Sequence, residues 1–163
     1  MFIQPCFFRK NTPELRKKLE ELGYYRHPSY GDNGQYLYLN RGFYHTSVVG
    51  YSEEIERMID CGVNEELFLA LAALRDDNDY MQWFVFPKTH TKRLSGCFGQ
   101  VVGMDGHYQE IVCYVWHRCE NKNNALTERL NTMILMEVED REFLPHKATV
   151  EEIIEHFKSK DIC

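Results

Sequence analysis

The chain has 163 residues and a formal net charge of −6; 44% of its residues are apolar and 13% aromatic. That length suits one domain, 1–163, and the apolar content supports a packed core, so disorder and fibrous repeats are excluded. The acidic balance makes nucleic acid and anionic membrane poor partners.

The longest apolar run is far short of the roughly 20 residues that a membrane-spanning helix needs, so no membrane is expected as a partner. The start, "MFIQPCFFRKN", has no basic residue ahead of its apolar part and no small-residue cleavage site. The expectation is a cytoplasmic protein without a secretory signal. Its cysteines (Cys6, Cys61, Cys97, Cys113, Cys119 and Cys163) are then expected as free thiols. Local basic clusters stand at Arg9/Lys10, Arg16 to Lys18 and Lys88/Lys92/Arg93.

In chain order, Phe2 to Phe8 reads as a strand. Thr12 followed by Pro13 starts a helix, with a capping hydroxyl and a proline at the first helical position. Leu15, Leu19 and Leu22 make its apolar stripe, and Gly23 is its stop. "HPSYGDNGQ" is loop. "YLYLN" and "FYHTSVV" read as strands, with Asn40 to Gly42 as a tight hairpin. Ser52 to Asp60 fits either a short helix or a strand, with Met58 and Ile59 entering the core. Asn64 caps a second helix, and Glu65 and Glu66 suit its positive end. From Leu67 to Leu74 that helix has no polar face, which predicts burial on nearly all sides. "YMQWFVF" follows as a strand ending at Pro87, and "KTHTKRLSG" as a basic loop or short helical turn. "CFGQVVGM" and "HYQEIVCYVWHRC" read as strands joined at Asp105-Gly106. A further strand is expected over Met133 to Val138. Thr149 and Glu152 form a capping box that opens the last helix, whose apolar face is Val150, Ile153, Ile154 and Phe157.

Between the apolar helix and the next strand stands "RDDNDY". Asp76, Asp77 and Asp79 lie where the helix dipole is negative, an unfavourable place for carboxylates. A ligand or cation site is one compensation. A calcium loop, however, alternates its oxygens and needs a turn glycine, and none is present here. Aspartate and asparagine also make turns by bonding nearby backbone groups, so a helix-to-strand turn is the preferred reading. A K-x-T-x-E echo links "KNTPEL" (Lys10 to Leu15) and "KATVEE" (Lys147 to Glu152), with "VNEEL" (Val63 to Leu67) as a looser copy. Shared capping chemistry explains it. The sharper reading is an anion collected at the helix starts Thr12, Asn64 and Thr149.

The phrases "RKNTPELRKKLEELGY", "DCGVNEELFLALAALRDDNDYMQWF" and "KATVEEIIEHFKSK" resemble uncharacterised small proteins of Bacteroides-type gut bacteria, their phages and mobile elements. The resemblance covers about a third of the chain. It implies a cytoplasmic, accessory, phage- or mobile-element-derived protein, and no catalytic role is carried over from it.

Other constellations carry less. In "CYVWHRC", Cys113, Val115, His117 and Cys119 share a strand face, but the two thiols would stand roughly 20 Å apart on an extended strand. The turn-type thiol pair that zinc favours is missing. Cys97 in "SGCFGQ" lacks the glycine pattern of a nucleophile elbow. His45-x-Ser47 is half of the two-histidine phosphoesterase signature, and neither His90 nor His146 completes it. Tyr36, Tyr38 and Tyr44 at strand spacing could stack bases, although strand tyrosines more often pack. No phosphate-binding loop or dinucleotide glycine pattern is present.

The expected fold is α+β: one mixed, largely antiparallel sheet with about three helices, one of them fully buried. The expected function is a small binding or protein-interaction module rather than an enzyme, with no cofactor and no metal. Its partner is a protein or small molecule, and a homodimer is compatible with it. The alternative is a nucleotide- or phosphate-binding protein or enzyme that uses helix N-termini.

Overall fold

The computed structural model describes residues 1–28, 31–47, 53–93, 108–130 and 145–158, with backbone alone at 54, 87–93 and 108–114. The fold is α+β, but its strands sort into two sheets rather than one. The first sheet holds β1 (Cys6–Phe8), β2 (Tyr25–Arg26), β3 (Tyr36–Asn40), β4 (Phe43–Ser47) and β5 (Ile59–Asp60), in the order β2-β4-β3-β1-β5. Its central pairs β1/β3 and β3/β4 are antiparallel, and its outer pairs β2/β4 and β1/β5 are parallel. The second sheet holds β6 (Trp83–Arg93), β7 (Tyr108–Arg118) and β8 (His146–Lys147), in the antiparallel order β7-β6-β8. The helices are α1 (Pro13–Leu22), α2 (Glu53–Glu56), α3 (Glu65–Ala72), helical residues 125–130 (α4) and α5 (Val150–Lys158).

Local chemistry sets most boundaries. The Thr12 side chain accepts from the Leu15 N–H at 3.2 Å, and Pro13 takes the first helical position. At the other end Gly23 has φ 109°; its N–H bonds Glu20 O and the Tyr24 N–H bonds Leu19 O, the paired closure of a Schellman motif. β3 and β4 are joined by Arg41 and Gly42, with φ of 49° and 86°. Both angles are positive, as the two-residue turn that matches strand twist requires. β1 is shorter than expected. Ahead of it, Ile3 N donates to Leu74 O at 3.1 Å, and Phe2 makes an isolated bridge to Arg75. The ambiguous stretch before Cys61 divides into α2 and β5.

Strand alternation sorts the core. Cys6, Phe8, Leu37 and Leu39 face one side of the first sheet and meet Leu15, Leu19, Phe68 and Leu71. Phe7 and Tyr38 face the other side and meet Met58 and, in part, Ile55. In the second sheet Val85 joins the main core with Ile153 and Phe157, while Phe84 turns away to Cys119 and Leu130. α3 therefore lies between the first sheet and α5. Leu67, Phe68, Ala70, Leu71 and Ala72 are all buried, as its unbroken apolar run demands.

Strand β6 corrects one expectation. It does not stop at Pro87 but runs to Arg93, so residues 88–93 are strand rather than loop. β8 bonds β6 only at Phe84 and Val85. Pro87 lies beyond it, where one edge of β6 has no strand partner among the described residues, and a missing N–H is tolerated at such an edge. The expected Asp105-Gly106 hairpin, the strands over "CFGQVVGM" and Met133 to Val138, and Cys97 and Cys163 lie outside the described residues. So do the side chains of Lys88, Lys92, Arg93 and Cys113. Cys6, Cys61 and Cys119 are buried free thiols. Burial pushes the Cys6 thiol up, and the neighbouring Cys61 adds to this. Among the described residues no helix is long and apolar enough to cross a membrane.

Candidate functional site: an aromatic cavity between α1, α3 and the second sheet

The aspartates of "RDDNDY" are spent on internal ties. Asp76 and Asp77 both meet the Met1 amino group. Asp77 also takes the Arg75 fork through Nε at 2.5 Å and Nη2 at 2.7 Å, and this guanidinium holds its carboxyl well below the usual range. Arg75 lies over the Phe2 ring at 4.6 Å. Asn78 closes a turn by accepting from Tyr80 N at 3.0 Å.

Asp79 differs in kind, because it is completely buried. Its carboxylate accepts from the backbone N–H of Thr127 at 2.9 Å and from the Thr127 hydroxyl, and Lys147 Nζ stands 3.2 Å away. It thereby caps the start of α4 and ties it to β8, satisfying donors that a helix start leaves open. Both oxygens are used inside the protein.

These ties position Tyr80 to Trp83. Met81 N donates to Cys119 O at 2.6 Å, and Cys119 N to Gln82 O at 2.9 Å, which extends the β6/β7 ladder. Gln82, also fully buried, donates its side-chain amide to Asn78 O. Met81 takes φ 60°, a left-handed conformation that costs a non-glycine residue about 1–2 kcal/mol. The surrounding bonds hold it there, and its side chain lines a cavity.

That cavity has a volume of about 330 Å³. α1 contributes Lys18, Glu21 and Leu22; α3 contributes Glu66, Leu69 and Ala70. Each triple follows the i, i+3, i+4 spacing that places side chains on one helical stripe. Tyr80, Met81 and Trp83 form a wall with Arg118 of β7 and Phe157 of α5. The Trp83 ring meets Phe157 edge-on at 5.5 Å and Trp116 at 6.3 Å, and Trp116 stacks on His156 at 3.9 Å. Such contacts add about 0.5–1.5 kcal/mol per pair beyond area and hold the wall rigid. The cavity shares Glu66, Trp83 and Arg118 with a shallower groove that reaches Trp116 and Glu120.

Charges sit around this apolar interior. Lys18 is paired with Glu65 at 2.6 Å. The Arg118 guanidinium lies 6.0 Å from the Trp83 ring centroid, and Lys122 Nζ lies 5.2 Å from that of Tyr80. The arrangement can hold a flat apolar body and meet polar groups at its edge.

The other sequence candidates do not join this site. Thr12, Asn64 and Thr149 cap their own helices, accepting from Leu15 N, Leu67 N and Glu152 N at 3.2, 3.1 and 3.2 Å. The Glu152 carboxylate returns to Thr149 N at 3.1 Å, completing the capping box. A cavity lined by Asn64, Asp60 and Lys158 includes neither Thr12 nor Thr149. Tyr38 and Tyr44 are buried, so they offer no stacking platform. His45 stacks on Tyr38 at 5.0 Å and meets His27 at 6.0 Å. Among the described residues no group of three or more histidine, cysteine, aspartate or glutamate side chains is placed to hold a metal ion.

Comparison with known proteins leaves the geometry as the sole guide: no family model matches the chain, and neither a curated protein nor a solved structure does.

Proposed function

We propose that the protein is a binding module whose ligand is a small molecule with a flat apolar body, held in the cavity between α1, α3 and the second sheet. The observation that carries this reading is a preformed space of about 330 Å³ walled by Tyr80, Trp83 and Phe157, within the size range of small-molecule sites. A buried carboxylate fixes one wall of that space, and Met81 holds a strained backbone within it. Strain of this kind persists where the surrounding structure over-determines it, and it clusters at binding sites.

Titration with indole, followed by the indole N–H resonances of the protein's two tryptophans, tests the proposal. Trp83 should shift saturably, with Trp116→Phe assigning the signals. Leu69→Phe, which adds a ring to the cavity floor, should weaken that shift severalfold or abolish it. An unmoved Trp83 at millimolar indole, or an unchanged response in Leu69→Phe, would refute the cavity as a ligand site.

A further inference from the structure

Resting on that reading of the cavity, we propose that its ligand is a planar aromatic monocarboxylate whose carboxylate is gripped by Arg118. The body follows from the walls: Tyr80, Trp83 and Phe157 present rings, and Leu69 and Ala70 give an aliphatic floor. The head group follows from the charges. Lys18, the other cation of the lining, is already engaged by Glu65 at 2.6 Å. The Arg118 guanidinium stands 6.0 Å from the Trp83 ring centroid, and among the described residues it has no carboxylate partner. Its planar N–H fork matches a carboxylate with two parallel hydrogen bonds. Arg118 also lines both the cavity and the open groove, so a ligand can enter with its charged end still hydrated. Arg118 offers a single guanidinium fork, which one carboxylate fills.

The experiment is calorimetric titration of the full chain with four molecules that share one ring system: indole, indole-3-acetate, tryptamine and L-tryptophan. Indole-3-acetate should bind at least about tenfold more tightly than indole, the gain expected of charge-assisted hydrogen bonds. Tryptamine should bind no better than indole. Arg118→Gln should weaken indole-3-acetate at least about tenfold more than it weakens indole, and Arg118→Lys should retain part of the gain. Tighter binding of tryptamine or L-tryptophan than of indole-3-acetate would overturn the assignment, and so would an equal loss for indole and indole-3-acetate in Arg118→Gln. If indole and indole-3-acetate bind equally, the carboxylate assignment fails and the cavity reading stands. If none of the four binds, the cavity reading itself fails.

Discussion

Replacing Asp79 by asparagine should destabilise the protein by about 2 kcal/mol, below the roughly 3–5 kcal/mol for breaking a fully buried ion pair. The figure follows from what the amide keeps and what it loses. Its carbonyl oxygen can still accept from Thr127 N, which the carboxylate now does at 2.9 Å. The Thr127 hydroxyl can reverse and accept from the new amide N–H. What disappears is the counter-charge of Lys147, 3.2 Å away. The Lys147 side chain is 26% exposed and can turn partly to water, which sets the loss below that of a sealed pair. Asp79→Ala also strands the Thr127 N–H and should cost about 1–2 kcal/mol more, the cost of an unsatisfied buried donor. Urea unfolding measures both, as a lower midpoint at unchanged slope. A double-mutant cycle with Lys147→Met should return a coupling of about 1 kcal/mol or more. An Asp79→Asn midpoint equal to that of the wild type, or a cycle without coupling, would refute the view of Asp79 as a buried tie.

Two further outcomes test the core and the tyrosines. Leu71 is fully buried between the first sheet and α5, so Leu71→Ala should cost about 2–5 kcal/mol in the same urea assay and Leu71→Asp should abolish cooperative unfolding; a folded Leu71→Asp variant would contradict the packing of α3. The Tyr44 hydroxyl donates to Glu20 Oε1 at 2.7 Å, and burial followed by this carboxylate pushes its pKa up to about 12; because the folded value exceeds the unfolded one of about 10, the contribution is complete below pH ~10 and is lost as pH rises through 12, so Tyr44→Phe should flatten alkaline destabilisation followed by phenolate absorbance.

Elements whose cause lies within a few residues were legible in the sequence. Thr12-Pro13 and Gly23 bound α1, Thr149 and Glu152 open α5, and Asn40 to Gly42 turn the hairpin, because each signal is a backbone group bonded by a near neighbour. The burial of α3 followed from its missing polar face. What was not legible depends on distant partners. Whether β6 joins the first sheet or builds a second depends on pairing with β7 and β8, and nothing in "WFVFPK" names those partners. Asp79 meets Thr127 across 48 positions, a contact that leaves no periodic trace. The cavity draws on five separated segments, of which only the apolar stripes of α1 and α5 and the all-apolar run of α3 were readable. Leu69 shows why: in the sequence it is one more apolar residue of the run, and only the fold leaves it partly covered on the cavity lining.

The three aspartates after α3 then make electrostatic sense without a bound ion. They stand near a negative helix end, yet each meets a positive group: the Met1 amine for Asp76, that amine and the adjacent Arg75 for Asp77, and Lys147 for Asp79. Asp79 also faces the positive end of α4, which favours a carboxylate there. The exposed pairs contribute little to stability on their own, since water screens them. Their effect is directional. They fix where the chain leaves α3, and the buried Asp79 fixes where it enters β6. Tyr80 to Trp83 are held between these two points, with Met81 kept at a positive φ that free chain would abandon. A polar cluster that resembles a site is therefore a support: its charges shape the wall on which Trp83 and Arg118 line the cavity.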